Sequence, residues 1–309
     1  MLPSAETWYS GYDNFKTHTL DHVTKKFVSG YIEPKDFDMS SVRLPSDIYK
    51  EILLNQSQKQ HLSLMYSGGV DSECVAVTCQ QHNIPLKIWT KRFLLKGIEV
   101  NVQDLYYSEK FCRRYNLEQI IVDCDIDKVN WLDYCKYYAT HWIAASHFWL
   151  LERVDGIPVF GGDVPYPRHD TNMNLEFEPR HVRHSTYDVL LANQGRYGIT
   201  NMASHTYELV ISWLTLYSKF FKLHGKIYCG DRGINYYTPW ANAENKHAVN
   251  HAAGFGRLEK RFKSIGCELL NRLDFPFDQL HKDMEQQVPV YDPITIAGPC
   301  MNHILELYK

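Results

Sequence analysis

Residues 67 to 72 form a short segment whose residue types could bind a phosphate chain. The segment reads Ser-Gly-Gly-Val-Asp-Ser, and apolar runs precede and follow it. Two successive glycines allow positive φ and let a ligand approach the main chain without an intervening Cβ. N–H groups at the start of a helix, together with the hydroxyls of Ser67 and Ser72, would form an anion-binding nest. The segment therefore predicts a phosphate or pyrophosphate site.

Asp71 narrows the kind of anion that this nest would bind. A carboxylate would repel a bare anion, but it fits the site if it holds a magnesium ion that bridges to the phosphates. The lysine of the GxxxxGK[ST] nucleotide loop is missing from the segment. The segment is therefore distinct from the common loop that supports cleavage at the γ-phosphate.

The flanking sequence predicts the elements that must position this nest. A first helix is expected over 45–60, with Ser46 as its N-cap and Asp47 in its first turn. Apolar spacing then predicts an alternation of strands and helices, namely HLSLMYS (strand), DSECVAVTCQQHN (helix), PLKIWTKRF (strand), NVQDLYYSEKFCRRYNL (helix, Leu105 and Phe111 inward), EQIIVDCD (strand), 130–154 (aromatic and helical) and GIPVFGGD (strand).

This alternation is typical of a parallel sheet with helices on both faces. In such sheets ligands bind at the carboxyl ends of the strands, where the strand order reverses. The nest follows the first strand of the series, so it is expected at that edge of the sheet.

The segment SGGVDS, between a strand and a helix, resembles the motif of the PP-loop ATP pyrophosphatases, the adenine-nucleotide α-hydrolase-like superfamily. Members include asparagine, GMP and NAD synthetases, 7-cyano-7-deazaguanine synthase, tRNA-thiolating enzymes and the related phosphoadenosine-phosphosulfate reductases. The resemblance covers about residues 58–165 and implies a Rossmann-like α/β domain of the HUP type. It also implies that ATP is cleaved to AMP and pyrophosphate, with ATP and Mg²⁺ as cofactors.

The same resemblance implies roles for single residues. The pyrophosphate ligands would be Ser67, Gly68, Gly69, Val70 and Ser72, and Asp71 would hold the metal. The second strand would offer its main chain around Trp89 and Thr90 to the adenine. Several members also have a glycine turn with an acidic residue after the fourth strand. Such a turn matches Gly161 and Gly162, which would allow close approach to the α-phosphate, and Asp163, which would be a second magnesium ligand.

Chemistry at the α-phosphate needs positive charge from outside the nest. Lys91 and Arg92, just after the second strand, are the catalytic candidates nearest the predicted site. The sequence does not choose between them and the other basic residues Arg168, Lys246, Arg257, Lys260, Arg261 and Lys263.

Composition limits the class of protein. Thirty-three basic and thirty-six acidic residues give a net charge of −3, so no global field recruits nucleic acid or an anionic membrane. Neither a secretory leader nor a long apolar run is visible, which predicts a soluble cytoplasmic protein. Eight cysteines occur without a CxxC pair, so no zinc knuckle or dithiol motif is indicated.

We expect three regions: an N-terminal extension (1–57) that begins with 45 irregular residues, the nucleotide-binding domain (58–165), and a mostly helical acceptor-recognition region (166–309). The predicted function is an AMP-forming synthetase that adenylates a carbonyl or carboxylate acceptor for amide or other C–N bond formation. Two alternatives stay open: a sulfur-transfer or reductase-like enzyme, for which Cys229 or Cys300 could supply the thiolate, and a non-catalytic nucleotide-binding protein. The acceptor, a small molecule or a nucleobase, is not identified, and a homo-oligomer is compatible with the sequence.

Overall fold

The structure is a computed structural model of the 309-residue chain. It describes residues 5–21, 23, 26–32, 34–137, 142–162, 166–169, 175–178, 182–224, 228–229, 236–237, 249–256, 276–287, 291–292 and 296–297.

Within these residues the α-helices are α1 (Pro45–Ser57), α2 (Val70–Gln81), α3 (Val102–Tyr115), α4 (Trp142–Leu151), α5 (Val182–Asn193), α6 (Tyr207–His224) and α7 (Phe277–Gln287). Short 3-10 helices span Met39–Ser41, Trp131–Tyr137 and Met202–Ser204. The strands are β1 (Ala5–Ser10), β2 (Lys16–Asp21), β3 (Lys26–Ile32), β4 (Leu62–Met65), β5 (Leu86–Leu95), β6 (Ile98–Glu99), β7 (Gln119–Asp125), β8 (Ile157–Val159), β9 (Tyr166–His169), β10 (Leu175–Glu178), β11 (Tyr228–Cys229), β12 (Tyr236–Tyr237), β13 (Tyr291–Asp292) and β14 (Ile296–Ala297).

Parallel strands form the central sheet in the spatial order β7-β5-β4-β8. The end of β5 also pairs antiparallel with β6. That hairpin turns at Lys96 and Gly97, which both have positive φ, 51° and 78°, as a type I′ turn requires. The four strands predicted from the sequence are therefore all present, and they are parallel as expected.

Helices cover both faces of this sheet, because successive residues of each strand pack into different cores. One core joins Leu64 of β4 to α1, α2 and α6, for example through Ile52 and Val75. The other core begins at the next residue of β4, Met65, and includes Phe148 of α4 together with side chains of α5. The predicted α/β fold, with a parallel sheet between helical layers, is confirmed.

Details of the predicted helices can be compared with the structure. Helix α1 has Pro45 at its first position and Leu44 at its N-cap, so the prediction of Ser46 as N-cap is wrong. Leu105 and Phe111 are buried, as expected for α3. The stretch 130–154 contains a 3-10 helix and α4, and residues 138–141 between them lie outside the described part of the chain.

The prediction of irregular structure for the N-terminal residues is wrong. These residues form the antiparallel meander β1-β2-β3. Strand β2 has the sequence KTHTLD, whose polar residues normally indicate a loop. Lys16 and His18 are nevertheless buried, at 2% and 0% exposure, because they are on the inner face of β2. The meander is extended by β13 and β14, which pair parallel to β3 from the other end of the chain.

The C-terminal region contains the expected helices α5, α6 and α7. It also contains a sheet that the sequence did not predict, with the strand order β10-β9-β12-β11. Among the described helices, none combines the length and the apolar character needed to cross a bilayer.

Candidate functional site

The central sheet has its topological switch point between β4 and β8. From β4 the chain passes through α2 to β5 on one side, whereas β8 lies on the other side of β4. Because the two connections diverge, a crevice opens beyond the carboxyl ends of these two strands. The SGGVDS segment follows β4, and the Phe160-Gly161-Gly162 segment follows β8, so both predicted motifs lie at this crevice.

The SGGVDS segment folds as a tight loop that leads into α2. Gly68 has φ 65°, and a Cβ built on it would lie 2.7 Å from the main-chain oxygen of Asp104. This position therefore requires glycine for two reasons, conformation and the close approach of α3. Gly69 is the N-cap of α2, and Val70 is its first residue and is buried in the core.

Both serine hydroxyls contact the glycine that caps the helix. Gly69 N–H donates to Ser67 Oγ at 3.3 Å, and Ser72 Oγ donates to the carbonyl of Gly69 at 2.8 Å. These contacts order the loop before any ligand is bound. Ser67 is exposed, and the side chain of Asp71 is half-buried in the first turn of α2.

The glycine turn after β8 lies directly against the SGGVDS segment. A Cβ built on Gly161 would lie 2.4 Å from the carbonyl carbon of Asp71 and 2.5 Å from the main-chain nitrogen of Ser72. Gly162 has φ 73°, and its Cβ would overlap the side chain of Asn201. The two motifs are about ninety positions apart in sequence but form one wall of the crevice.

A cavity of about 330 Å³ occupies this crevice. Its lining contains most of the predicted site residues together with several apolar side chains; these are Met65, Tyr66, Ser67, Gly69, Asp71, Ser72, Trp89, Thr90, Lys91, Phe93, Asn101, Asp104, Ile143, His147, Leu150, Phe160, Gly161 and Gly162. The structure thus brings the SGGVDS segment, the glycine turn and the end of β5 together around a single space.

The side chains of Trp89 and Thr90 are engaged inside the protein. Trp89 Nε1 donates to Ser63 Oγ at 3.2 Å. Thr90 Oγ1 lies 2.7 Å from Ser108 Oγ, which also accepts a hydrogen bond from Gln119. These contacts hold the side-chain polar atoms of Trp89 and Thr90 inside the protein.

Lys91 places an amino group in the cavity wall. Its Nζ donates to Ser146 Oγ of α4 at 2.6 Å and lies 5.0 Å from the centre of the Phe93 ring. Burial lowers the pKa of Lys91 to about 7, although the nearby Cys124 and Asp104 act in the opposite direction. The amine is therefore close to half-protonated at neutral pH and would gain a proton when a polyanion binds.

Arg92 is not brought to the cavity with its neighbour. Its Nε donates to Asp123 of β7 at 2.6 Å, and this ion pair raises the pKa of Arg92. Successive residues of a strand point to opposite faces, so Lys91 and Arg92 could not both face the same space.

Three polar residues of the cavity were not predicted from the sequence: Asn101, Asp104 and His147. The first two lie at the start of α3, where a polar residue reads equally well as a helix cap or first-turn acid. His147 lies within the apolar helix α4, where its Nδ1 is 2.8 Å from Tyr187 Oη. The sequence signal for it was a titratable side chain in a helix that is otherwise uncharged and mostly apolar.

Several predicted residues lie outside the part of the chain that the structure describes. These are Asp163, Lys246, Arg257, Lys260, Arg261, Lys263 and Cys300, and of Arg168 and Cys229 only the main chain is described. Their predicted roles stay predictions.

The described cysteine thiols Cys74, Cys79, Cys112, Cys124 and Cys135 are all buried. Burial raises the pKa of three of these thiols, Cys79, Cys112 and Cys124, to about 12. None of the five lines the cavity. Within the described residues, no group of three or more His, Cys, Asp or Glu side chains is placed to hold a metal.

Comparison with known proteins gave structural matches alone, since no family model and no curated protein matched the chain. A predicted subunit of tRNA methyltransferase from Methanocaldococcus jannaschii has 14% identity and a TM-score of 0.31, over 65% of this chain and 99% of that one. The NH3-dependent NAD synthetase of Campylobacter jejuni has 16% identity and a TM-score of 0.30, over 79% and 90%. The NMN synthetase of Francisella tularensis has 10% identity and a TM-score of 0.25, over 88% and 93%.

These TM-scores are too low to support an argument about fold or activity. The features that carry the resemblance to the PP-loop ATP pyrophosphatases are the alternation of parallel strands with helices and the position of SGGVDS between a strand and a helix. Both are present as predicted, the segment lying between β4 and α2.

Proposed function

We propose that the protein is an ATP-dependent adenylating enzyme that forms AMP and pyrophosphate. The observation that carries the proposal is the single cavity at the switch point, which SGGVDS, the glycine turn and Lys91 line together. The preordered loop offers main-chain N–H groups and the Ser67 hydroxyl at the start of a twelve-residue helix, which suits the β- and γ-phosphates of ATP.

Gly161 and Gly162 line the same space from the other motif. We assign this side to the α-phosphate. An acceptor oxygen would attack phosphorus there, a new O–P bond would form, and the bond from the α-phosphorus to the bridging oxygen of pyrophosphate would break. Lys91, once protonated, would stabilise the negative charge that develops.

Asp71 fits a magnesium ion because this acidic residue lines the cavity beside the predicted phosphate nest. Magnesium is commonly bound through one or two carboxylates together with substrate phosphates. The ion would supply charge neutralisation on the triphosphate. Asp163 stays the proposed second ligand.

The buried thiols favour C–N bond formation over sulfur transfer. Sulfur transfer needs an accessible thiolate of low pKa, whereas the described cysteines are buried and none of them lines the cavity. The sulfur alternative therefore depends on Cys229, Cys267 or Cys300, and we rank it second.

Product analysis separates the three functional classes. The protein would be incubated with ATP and Mg²⁺, alone and with pools of amino acids, nucleobases and ammonium, and the nucleotides would be separated by chromatography. We expect AMP and pyrophosphate in equal amounts once an acceptor is present. ADP would refute adenylation, and tight ATP binding without products from any pool would favour the non-catalytic alternative.

A further inference from the structure

The edge of β5 that faces the cavity has contacts at both ends. From one side, Tyr66 N–H donates to the carbonyl of Trp89 at 2.8 Å, just beyond the end of β4. From the other side, the β5–β6 hairpin folds back along the same edge, and Val100 N–H donates to the carbonyl of Phe93 at 2.9 Å. The backbone N–H and C=O groups of successive residues point to opposite edges of a strand. The groups of Lys91 therefore point to the same edge as the carbonyls of Trp89 and Phe93, at a position between these two contacts.

The side chain of Asn101 forms hydrogen bonds to this edge of β5, next to the β5–β6 hairpin. Its Nδ2 donates to the carbonyl of Lys91 at 2.8 Å, and its Oδ1 accepts from Phe93 N–H at 2.8 Å. The two bonds together imitate a neighbouring strand, and they require the amide group in one orientation. Asn101 is 6% exposed and lines the cavity, and it does not cap α3 with its side chain. The side-chain amide of Asn101 therefore binds β5 and not the start of α3.

We propose that Asn101 is a positioning residue that makes the nucleotide site specific for adenine, by holding the main chain of Lys91 as the edge that reads the base. This inference rests on the proposed function, since it assumes that ATP occupies the cavity. The N–H of Lys91 would donate to adenine N1, and its carbonyl, which has a second lone pair, would accept from the N6 amino group. Hypoxanthine presents an N1–H donor to the Lys91 N–H and an O6 acceptor to the Lys91 carbonyl, so neither group of Lys91 gains a hydrogen bond from that base.

Nucleotide binding to the wild-type protein tests whether the main chain of Lys91 recognises the base. Three nucleotides would be compared: ATP, ITP and the triphosphate of purine riboside, which lacks the amino group. We expect ATP to bind at least about tenfold more tightly than ITP in calorimetry, with the purine nucleotide between them. The amide ¹⁵N–¹H signal of Lys91 should shift with ATP and stay unmoved with ITP. Equal affinities, or a Lys91 signal that saturating ATP does not move, would overturn the inference.

Variants then test Asn101 itself. Asn101→Ala removes both bonds, so the ratio of ATP to ITP affinity should fall to within about twofold of unity. Asn101→Asp has nearly the same shape and keeps the acceptor for Phe93 N–H but loses the donor to Lys91, so it should lose most of the discrimination as well. Asn130→Ala is the matched control, because Asn130 is an exposed residue whose amide binds Asp133; its ratio should equal that of the wild type.

The outcomes separate this inference from the proposed function. If the wild type binds no nucleotide, the proposed function fails. If it binds ATP selectively and the folded Asn101 variants keep that selectivity, Asn101 has no positioning role and the inference fails alone. If Asn101→Ala does not fold, the ratio of ATP to ITP affinity in Asn101→Asp and the ¹⁵N–¹H signal of Lys91 in the wild type decide whether the inference holds.

Discussion

Gly161 lies so close to Asp71 that a Cβ on Gly161 would fall 2.4 Å from the carbonyl carbon of Asp71. The first turn of α2 and the turn after β8 are thus in main-chain contact. This contact joins the two motifs that form one wall of the cavity. The shape of the site therefore depends on Gly161, a residue with no functional group.

Gly161→Ala should therefore damage the site and the fold together. The added methyl group forces main chain apart, because neither partner is a flexible side chain. We expect the free energy of unfolding to fall by about 1–3 kcal/mol and ATP affinity to fall about tenfold or more. Denaturant unfolding and calorimetry measure the two effects.

Gly97→Ala is the control for that variant. Gly97 has positive φ, but nothing lies within 4 Å of its added Cβ, so we expect a strain cost of about 1 kcal/mol and normal ATP binding. Unchanged stability and affinity in Gly161→Ala would show that the two motifs do not constrain each other.

Asp71→Asn should abolish magnesium-dependent pyrophosphate release and leave the fold intact. The change removes a carboxylate from the cavity without altering its shape. We expect the rate to drop at least about a hundredfold, and the loss of a first-turn acid to cost less than about 1 kcal/mol. Asp155→Asn is the control, since Asp155 pairs with His61 and Lys87 away from the cavity. Wild-type rates in Asp71→Asn would contradict the metal assignment.

Gly69→Val should block the phosphate nest. The main chain of Gly69 is extended, with φ −79° and ψ 153°, so valine can adopt it, but the side chain starts 3.0 Å from Ser67 Oγ. We expect calorimetry to detect little or no ATP binding, with an intermediate affinity for Gly69→Ala. If Gly69→Val binds ATP as the wild type does, the phosphates must lie elsewhere.

Lys91 should make ATP binding dependent on pH. The pKa of the free protein's Lys91 is about 7, so the amine must take up a proton to pair with phosphate above that pH. Affinity should decrease as the pH rises from 7 to 9, and calorimetry in buffers of different ionisation enthalpy should show proton uptake at pH 8. Lys91→Met should lose this proton uptake; its persistence there would assign it to another group.

The same residue gives a prediction for stability. The folded pKa, about 7, lies below the usual 10.5, so the folded state binds fewer protons than the unfolded chain between these values. The destabilising contribution is full below pH 7 and fades as the pH rises towards 10.5. Lys91→Met should therefore raise the melting temperature more at pH 6 than at pH 9. An equal gain at both pH values would argue against a buried ammonium.

Cys300→Ser separates the nitrogen and sulfur chemistries. None of the described thiols lines the cavity, so an amide-forming enzyme should keep its full rate of AMP formation in this variant. We would measure pyrophosphate release with the acceptor identified by product analysis. Complete loss of activity would move sulfur transfer to first place.

The central domain could be predicted from the sequence because its signals are local. The four parallel strands β4, β5, β7 and β8 are short segments rich in apolar and β-branched residues, and the predicted helices between them contain apolar residues at helical spacing. The glycines of SGGVDS and of the turn after β8 further marked where the chain approaches itself or a ligand. These signals were sufficient to place Ser67, Asp71, Lys91 and Gly161 around one space.

The remaining site residues depend on tertiary contacts that no local pattern encodes. Asn101 reads as an ordinary helix cap until the β5–β6 hairpin brings its amide to Lys91 and Phe93. The N-terminal meander was missed for a similar reason. Its inner face includes the polar residues Lys16 and His18. Their burial is possible because the carboxylate of Asp188 in α5 lies near both. Asp188 is distant from them in sequence, so no local pattern could indicate this pairing.

Both ends of the chain contribute to one sheet, since β13 and β14 pair with β3. During synthesis the first strands leave the ribosome long before their last neighbours are translated. That sheet can be completed only when residues 291–297 have emerged, so a product truncated before residue 291 would have an uncovered β3 edge, open to pairing with another chain.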